Sequence, residues 1–575
     1  MEKLKLYRKY WHYFAAFLLG FAAFICIYGF EPLRVTGIGW TLHGYDNNDI
    51  TQHQTGWMYF RYSPWSFPIC KALNLGYPEG TSIAFTDSIP LAALIFKLLS
   101  PILPEKFQYF GIYTCFCFMM QGLFAAALLY HFNKNRIFAL IGSVIFVFSS
   151  CFLERCFRHT ALSSHWLLLA GLLLYFVRKK NSNIFLYTTL WTTLLCTAIA
   201  IHPYLFAMVY GLFVVSEWKV WSRRNFWKNT IIELLFCTGI VFLWGYILGI
   251  FGTNIKSAPG FGMYNLNLNA FFNAESKYHN VWSAFTQNRP LYSSQGDGIY
   301  YLGAPMLVLF SLTTTIIFIS KRSLLKKIFC EYYSLLILLI AFTLFAISNV
   351  ITFDNKVLFV IPIPDSVLDI ANIFRSSERF FFVPYYCIIL YSLSMLFRLL
   401  SIKKKLTIYI VFLLAILQIV DIYPGLKDLH YFFEKRKIGI RFSENWKFIS
   451  DNYQSAVSFE PITDRNLSFW LAQNKFRTNI IISSDIHKES YLPRTEPERK
   501  QLKDGLETGL FTPEEDTIYI ISDYPAPKSS FSSKEDLQLY LDKLQHNYTD
   551  SAKLLYLDYT YNNEHNGYWI LAPDK

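Results

Sequence analysis

Eleven long apolar runs, separated by short polar connections, dominate the chain up to residue 423. They fall at roughly 11–30, 107–131, 137–153, 163–177, 184–201, 203–217, 230–251, 301–320, 332–353, 380–400 and 406–423. A bilayer-crossing helix needs about 20 apolar residues, fewer where the bilayer thins. The pairs 137–153/163–177 and 184–201/203–217 are short and closely spaced, a pattern that also suits a re-entrant hairpin. Within 31–106, the apolar stretch from Pro90 to Ser100 is too short to cross, carries Lys97 and is bounded by prolines, so it predicts an amphipathic helix in the interface.

After about residue 430 the pattern changes. Charges return and the apolar runs shorten to strand length: Val457–Phe459, Thr517–Ser522, Leu554–Leu557 and Tyr568–Leu571. Ser532 followed by Glu535 predicts a capping box for a helix near 533–545. The expected fold is an α-helical polytopic membrane protein of about eleven transmembrane helices (1–429), with a large first outer loop (31–106). A soluble α/β domain (430–575) follows.

Charge sharpens this picture. With Lys3, Lys5, Arg8 and Lys9 inside, eleven crossings also put inside every basic cluster between helices. These are Lys134/Arg136, Arg178–Lys180, Lys219/Arg223/Arg224/Lys228, Lys321/Arg322/Lys326/Lys327 and Lys403–Lys405. Cytoplasmic loops concentrate Lys and Arg in this way. The count places segments 31–106, 154–162, 252–300 and 354–379 outside, together with the tail, so any chemistry is expected on the outer face. The N-terminal run is longer than the core of a signal peptide and predicts a retained first helix.

Composition agrees. The chain is 53% hydrophobic and only 16% charged, against about 25% charged in soluble domains. The net charge of +12 is explained by the loop clusters, and no nucleic-acid partner is expected. Ten cysteines lie mostly in or beside apolar runs and none follows Cys387, so the tail has no disulfide. No Cys/His spacing resembles a zinc site.

Candidate chemistry lies in the outer segments. In the first, Asp46, Asp49, His53 and Asp87 stand where the chain re-enters the membrane, and a partly desolvated carboxylate there suits a general base. Asp and Asn also favour turns and caps. In the second, Glu154, Arg155, Arg158, His159 and His165 crowd one short connection, either as a phosphate pocket or as side chains reaching for headgroups. His202 stands at an outer helix end, a position more often structural. In the third, Asp297 precedes a Gly-containing turn and suits a sugar hydroxyl or a cap. In the fourth, Arg375 and Arg379 are four apart, with Glu378 between them.

Several stretches together resemble the GT-C superfamily of membrane glycosyltransferases, and more closely a bacterial GT-C-like family long without an assigned function. They are DITQHQTGWMYFRYSPWSFPI, NLGYPEGTSIAFTDSIPLAALIFKLL, FRHTALSSHW, GDGIYYLGAP and FRSSERFFFVPYY, with RTNIIISSD and GYWILAP in the tail. The resemblance implies a sugar donor linked to a polyprenyl phosphate, a glycan or lipid-linked acceptor and inverting transfer at the outer face of the bacterial inner membrane. It places the catalytic carboxylate at Asp49, with Asp87 at a second acidic position and Asp46 less tied to the pattern. Some GT-C members use a DxD motif for Mg or Mn. Here the spacing is DNND, and arginine can serve a monophosphate leaving group without a metal. A flippase for lipid-linked glycans and a glycan polymerase or ligase are the competing classes.

Overall fold

The computed structural model describes residues 2–42, 49–179, 183–221, 227–251, 258–275, 282–292, 299–431, 441–525, 530–561 and 564–575. The chain divides into two compact units. The first comprises 1–37, 108–245 and 259–435; the second comprises 38–107, 246–258 and 436–575. Most of the expected first outer loop therefore belongs with the tail rather than with the apolar helices.

The first unit is helical. Six described helices are long and apolar enough to cross a bilayer: Tyr10–Tyr28, Phe110–Asn133, Thr160–Val177, Thr230–Leu248, Arg322–Ile347 and Ser377–Leu399. A seventh forms if Lys404–Asp421 and Tyr423–His430, bent by 58°, are taken as one. This corrects the expected eleven. Each remaining run is helical, but Arg136–Val147, Ile184–Ile199 and Ala304–Ser320 have only 12, 16 and 17 residues. At 1.5 Å per residue the first of these reaches about 18 Å, short of a core about 30 Å thick. Pro203–Trp221 carries Glu217 and Lys219 in its last turns. The run expected at 332–353 is also corrected. The helix Arg322–Ile347 is kinked at Tyr332, where the run was expected to begin, but it stops at Ile347, and Val350–Phe353 is a strand paired with Lys356–Val360.

Small residues set the packing. A Cβ on Gly20 would stand 2.2 Å from Phe118 O, and one on Gly122 would stand 2.3 Å from Ala16 O. The first two spans therefore approach backbone to backbone, as small residues permit in membranes.

The second unit is α/β. Its six-stranded sheet runs in the order Arg441–Phe442, Ala552–Tyr561, Glu564–Pro573, Thr517–Ser522, Ser455–Val457, Arg477–Thr478. Side chains alternate across it. Ile518 and Ile520 join a core with Trp446, Trp470 and Leu557, while Tyr519 and Ile521 join one with Phe459, Leu541 and Leu544. The expected capping box shifts by one residue: Ser533 caps Lys534–Asn547 and accepts from Asp536 N. At the sheet edge, Gly76 N and Tyr77 N donate to Thr478 O at 2.8 and 2.9 Å, and Thr478 N donates to Asn74 O at 2.9 Å. The loop thus covers an edge strand that would otherwise present unpaired backbone. Pro90–Leu98 is helical as expected, but Lys97 is buried, its Nζ 4.0 Å from the Phe60 ring centroid and 4.5 Å from that of Trp65.

Candidate functional site

In the first unit, charged residues of segments 154–162 and 354–379 come together about Tyr300. The short helix Ser150–Leu153 runs into a tight connection in which Phe157 takes a left-handed φ of 62°. Glu154 and Arg158, four apart, form an ion pair. Glu154, Arg155, Arg158, Glu378 and Arg379 are all less than a tenth exposed. Burying an ion costs several kcal/mol unless neighbours neutralise it, and buried arginines are suited to hydrogen-bond an anionic group.

Tyr300 ties the two segments together. Its hydroxyl donates to Glu378 O at 2.7 Å. Burial, reinforced by the Glu378 carboxylate, holds the phenol well above its usual range, while Arg155 and Arg379 pull it back. The Arg379 guanidinium lies 4.8 Å from the Tyr204 ring centroid, and Arg375, half-buried, lies 5.4 Å from that of Tyr264. His159 is half-buried. His165 is fully buried, its Nδ1 2.7 Å from Tyr386 Oη. Tyr386 also accepts from Gln121 Nε2 at 3.0 Å. His202 has a structural role, its Nδ1 accepting from Tyr204 N at 3.2 Å.

A cavity of about 530 Å³ lies among the helices of this unit, walled by Phe310, Leu336, Leu339, Ile340, Pro384 and Ile388 with few polar atoms. Phe381, beside the charged cluster, also lines it, as do Phe132 and Phe176 in the last turns of their helices. The apolar space therefore extends along most of a span's length.

In the second unit, Asp49 opens the helix Asp49–Tyr62. His53 and Gly56 follow on the same face at the i+4 and i+7 positions, and His53 is fully buried. Gly56 lets the Thr86–Ser88 segment pack on that face, where Ser88 Oγ donates to His53 O at 2.7 Å. Asp87, in the left-handed region at φ 55°, is half-buried within that segment. The opposite face is anchored by Gln54 and Trp57, which donate to Phe107 O at 3.1 and 3.2 Å. Arg465 Nη2 stands 3.2 Å from Asp49 Oδ1, and each side chain is 25% exposed. Asp464 caps the helix Arg465–Gln473 and accepts from Tyr568 Oη at 2.7 Å. Asp46 and Asp297 lie outside the described residues.

An arginine on Asp49 is a poor partner for a divalent cation. Among the described residues, no group of three or more His, Cys, Asp or Glu side chains is disposed to hold a metal. No step below runs through one.

Sequence reasoning missed three features. Arg465 is 416 positions from Asp49 and carries no local signal. Asp421, fully buried, accepts from Tyr301 Oη at 2.8 Å and Ala304 N at 2.7 Å; a carboxylate closing an apolar run was the available clue. Arg178 reaches Glu233 at 2.6 Å and Glu217 at 3.4 Å, all three buried.

These features define a helical, multi-pass type of membrane protein carrying an α/β unit. The chain belongs to the family described as a domain of unknown function (DUF6311), which it matches over residues 17–423. No curated protein matches it in sequence.

Proposed function

We propose that this chain is a glycosyltransferase of the GT-C type. In this reading it moves a sugar from a polyprenyl-phosphate donor to a surface glycan or lipid, such as an O-antigen, at the outer face of the bacterial inner membrane. The observation that carries the reading is the set of buried arginines Arg155, Arg158 and Arg379, together with an apolar cavity that Phe381 lines. A lipid phosphate needs that pairing of a charged seat and a hydrocarbon-lined space. In this reading the tail lies on the outer side and the N-terminus, with Lys3, Lys5, Arg8 and Lys9, in the cytoplasm.

In the reaction, an acceptor hydroxyl oxygen bonds to the anomeric carbon as the bond from that carbon to the phosphate oxygen breaks. The configuration inverts. The hydroxyl proton passes to the Asp49 carboxylate, and polyprenyl phosphate departs with its new charge held by the arginines. Asp87 is the second carboxylate, and Arg375, His159 and His53 are assigned to positioning.

The test is transfer from polyprenyl-phosphate sugars in membranes, combined with mass spectrometry of the co-purified lipid. A monophosphate carrier is expected, with Asp49→Asn and Arg379→Ala inactive. Full activity of Asp49→Asn would remove it from the base role. A diphosphate-linked oligosaccharide would point to a polymerase or ligase. A second reading, transport of a lipid-linked glycan, draws on the buried Arg178–Glu217–Glu233 group at the ends of three apolar helices, since buried charges in membrane helices often mark transport paths. Movement of unmodified substrate without sugar transfer would favour it.

A further inference from the structure

The Val350–Phe353/Lys356–Val360 hairpin begins two residues beyond the Arg322–Ile347 span, after Ser348 and Asn349. Its second strand is exposed along its whole length. Leu358, Phe359 and Val360 are 53%, 57% and 57% exposed. Because successive side chains point to opposite faces of a strand, both faces are apolar. The helix Asp365–Asn372 follows, with Val367 and Ile370 half or more exposed on one side and Ile373 exposed at its end.

The neighbouring segment NLNLN is inverted relative to a water-facing surface. Asn265, Asn267 and Asn269 are buried along with Leu266, while Leu268 is 42% exposed. The amides hold the hairpin from within: Asn267 Nδ2 donates to Asp354 O at 2.8 Å, Asn265 to Val350 O and Asn269 to the Asp354 carboxylate. Buried amides beside an exposed Leu268 suit a surface that meets hydrocarbon. In water, a bare apolar strand of this kind is a site of aggregation.

We propose that the hairpin, the helix after it and Leu268 form an apolar blade bedded in the lipid surface of the outer leaflet. Continuity argues for lipid as the occupant. The blade is tethered on both sides, by the span ending at Ile347 and by the one starting at Ser377. Unpaired strand edges cost several kcal/mol per group in the hydrocarbon core, so the blade rests at the boundary between headgroups and acyl chains, with Lys356 reaching the headgroups. Arg375 follows Ile373 by two residues, so the blade also sets the depth of the Arg375–Arg379 segment. This inference rests on the membrane reading alone and not on sugar transfer.

The full chain, with the exposed Cys26 and Cys330 changed to Ser, would carry Phe359→Cys or Ile370→Cys labelled with bimane. It would be reconstituted in vesicles whose lipids are brominated high on the acyl chain. Leu539→Cys, on the exposed side of Lys534–Asn547, is the aqueous control. Bromolipid should quench labels at 359 and 370 severalfold more than at 539, and aqueous iodide should show the reverse order. Iodide quenching at 359 and 370 equal to that at 539 would overturn the proposal. So would protection from both quenchers, which would mean that a protein partner or a second copy covers the blade.

Discussion

Adding one methyl group at Gly56 tests how the Asp49 face is built. A Cβ there would stand 2.1 Å from Thr86 Oγ1, 2.5 Å from Ser88 Oγ and 2.6 Å from Thr86 Cβ. Ordinary contact starts at 3.4 Å, so the segment must retreat by about 1.3 Å, the difference between 3.4 and 2.1 Å. Turning a hydroxyl aside does not suffice, because Thr86 Cβ is also too close. The retreat strains the bonds from Thr86 Oγ1 to Ile83 O at 2.9 Å and from Ser88 Oγ to His53 O at 2.7 Å, and the 2.7 Å contact between the two hydroxyls. Losing two such bonds costs about 2 kcal/mol, and overpacking adds about 1–3 kcal/mol. Alanine in place of a helical glycine returns about 1 kcal/mol. The net loss for Gly56→Ala is thus about 2–4 kcal/mol, a fall in unfolding midpoint on the order of 10 °C for a unit of this size. Tryptophan emission during heating in detergent would measure it. Gly239→Ala is the control: its Cβ meets nothing within 4 Å, so its midpoint should hold or rise slightly. An unchanged midpoint for Gly56→Ala would refute the packing of Thr86–Ser88 on this face. A lowered midpoint with normal transfer would remove Asp87 from the reaction.

Four other outcomes are expected. The Asp49–Arg465 pair is partly exposed and joined by one contact, so a double-mutant cycle should give a coupling of about 0.2–1 kcal/mol. Asp49→Asn should lower transfer by about 10²–10⁴-fold, and a loss confined to stability would deny its role as base. Burial pushes the Lys97 ammonium down to about 8 from 10.5. The folded state therefore penalises the charged form fully below pH 8 and progressively less as pH rises toward 10.5. Lys97→Met should raise the unfolding midpoint most at pH 7 and least near pH 10; a gain independent of pH would show that the aromatic rings offset the burial. Arg178→Met strands Glu217 and Glu233 and should cost about 3–5 kcal/mol. Adding Glu217→Gln and Glu233→Gln should recover much of this in thermal unfolding, and no recovery would disprove the ionic account.

The apolar runs were legible because each carries its own signal over a full helix length, and every one became a helix. Their number as crossings was not, because a run such as 137–153 is apolar beyond the point where its helix stops at Val147. Val350–Phe353 was read as helix since its apolar residues continue those before it; the break lies in Ser348, at φ 65°. The strand Thr517–Ser522 was clear from its β-branched content. Within the candidate site, the crowding of Glu154–His159 and the Arg375/Arg379 spacing were visible, but not their convergence on Tyr300. The joining of residues 38–107 to the tail was invisible for the same reason: pairing across some 400 positions leaves no periodic trace.

That last feature governs the order in which the protein can be made. Asn74, Gly76 and Tyr77 are synthesised early, yet their partner Thr478 emerges about 400 residues later. The apolar helices between them enter the bilayer meanwhile. The segment that bears Asp49 must therefore wait, its pairing incomplete, until Thr478 arrives to close the sheet edge. A ribosome that stops before residue 477 would leave the apolar helices in place with the Asn74–Tyr77 segment unpaired. Completion of the tail thus serves as the final checkpoint of synthesis.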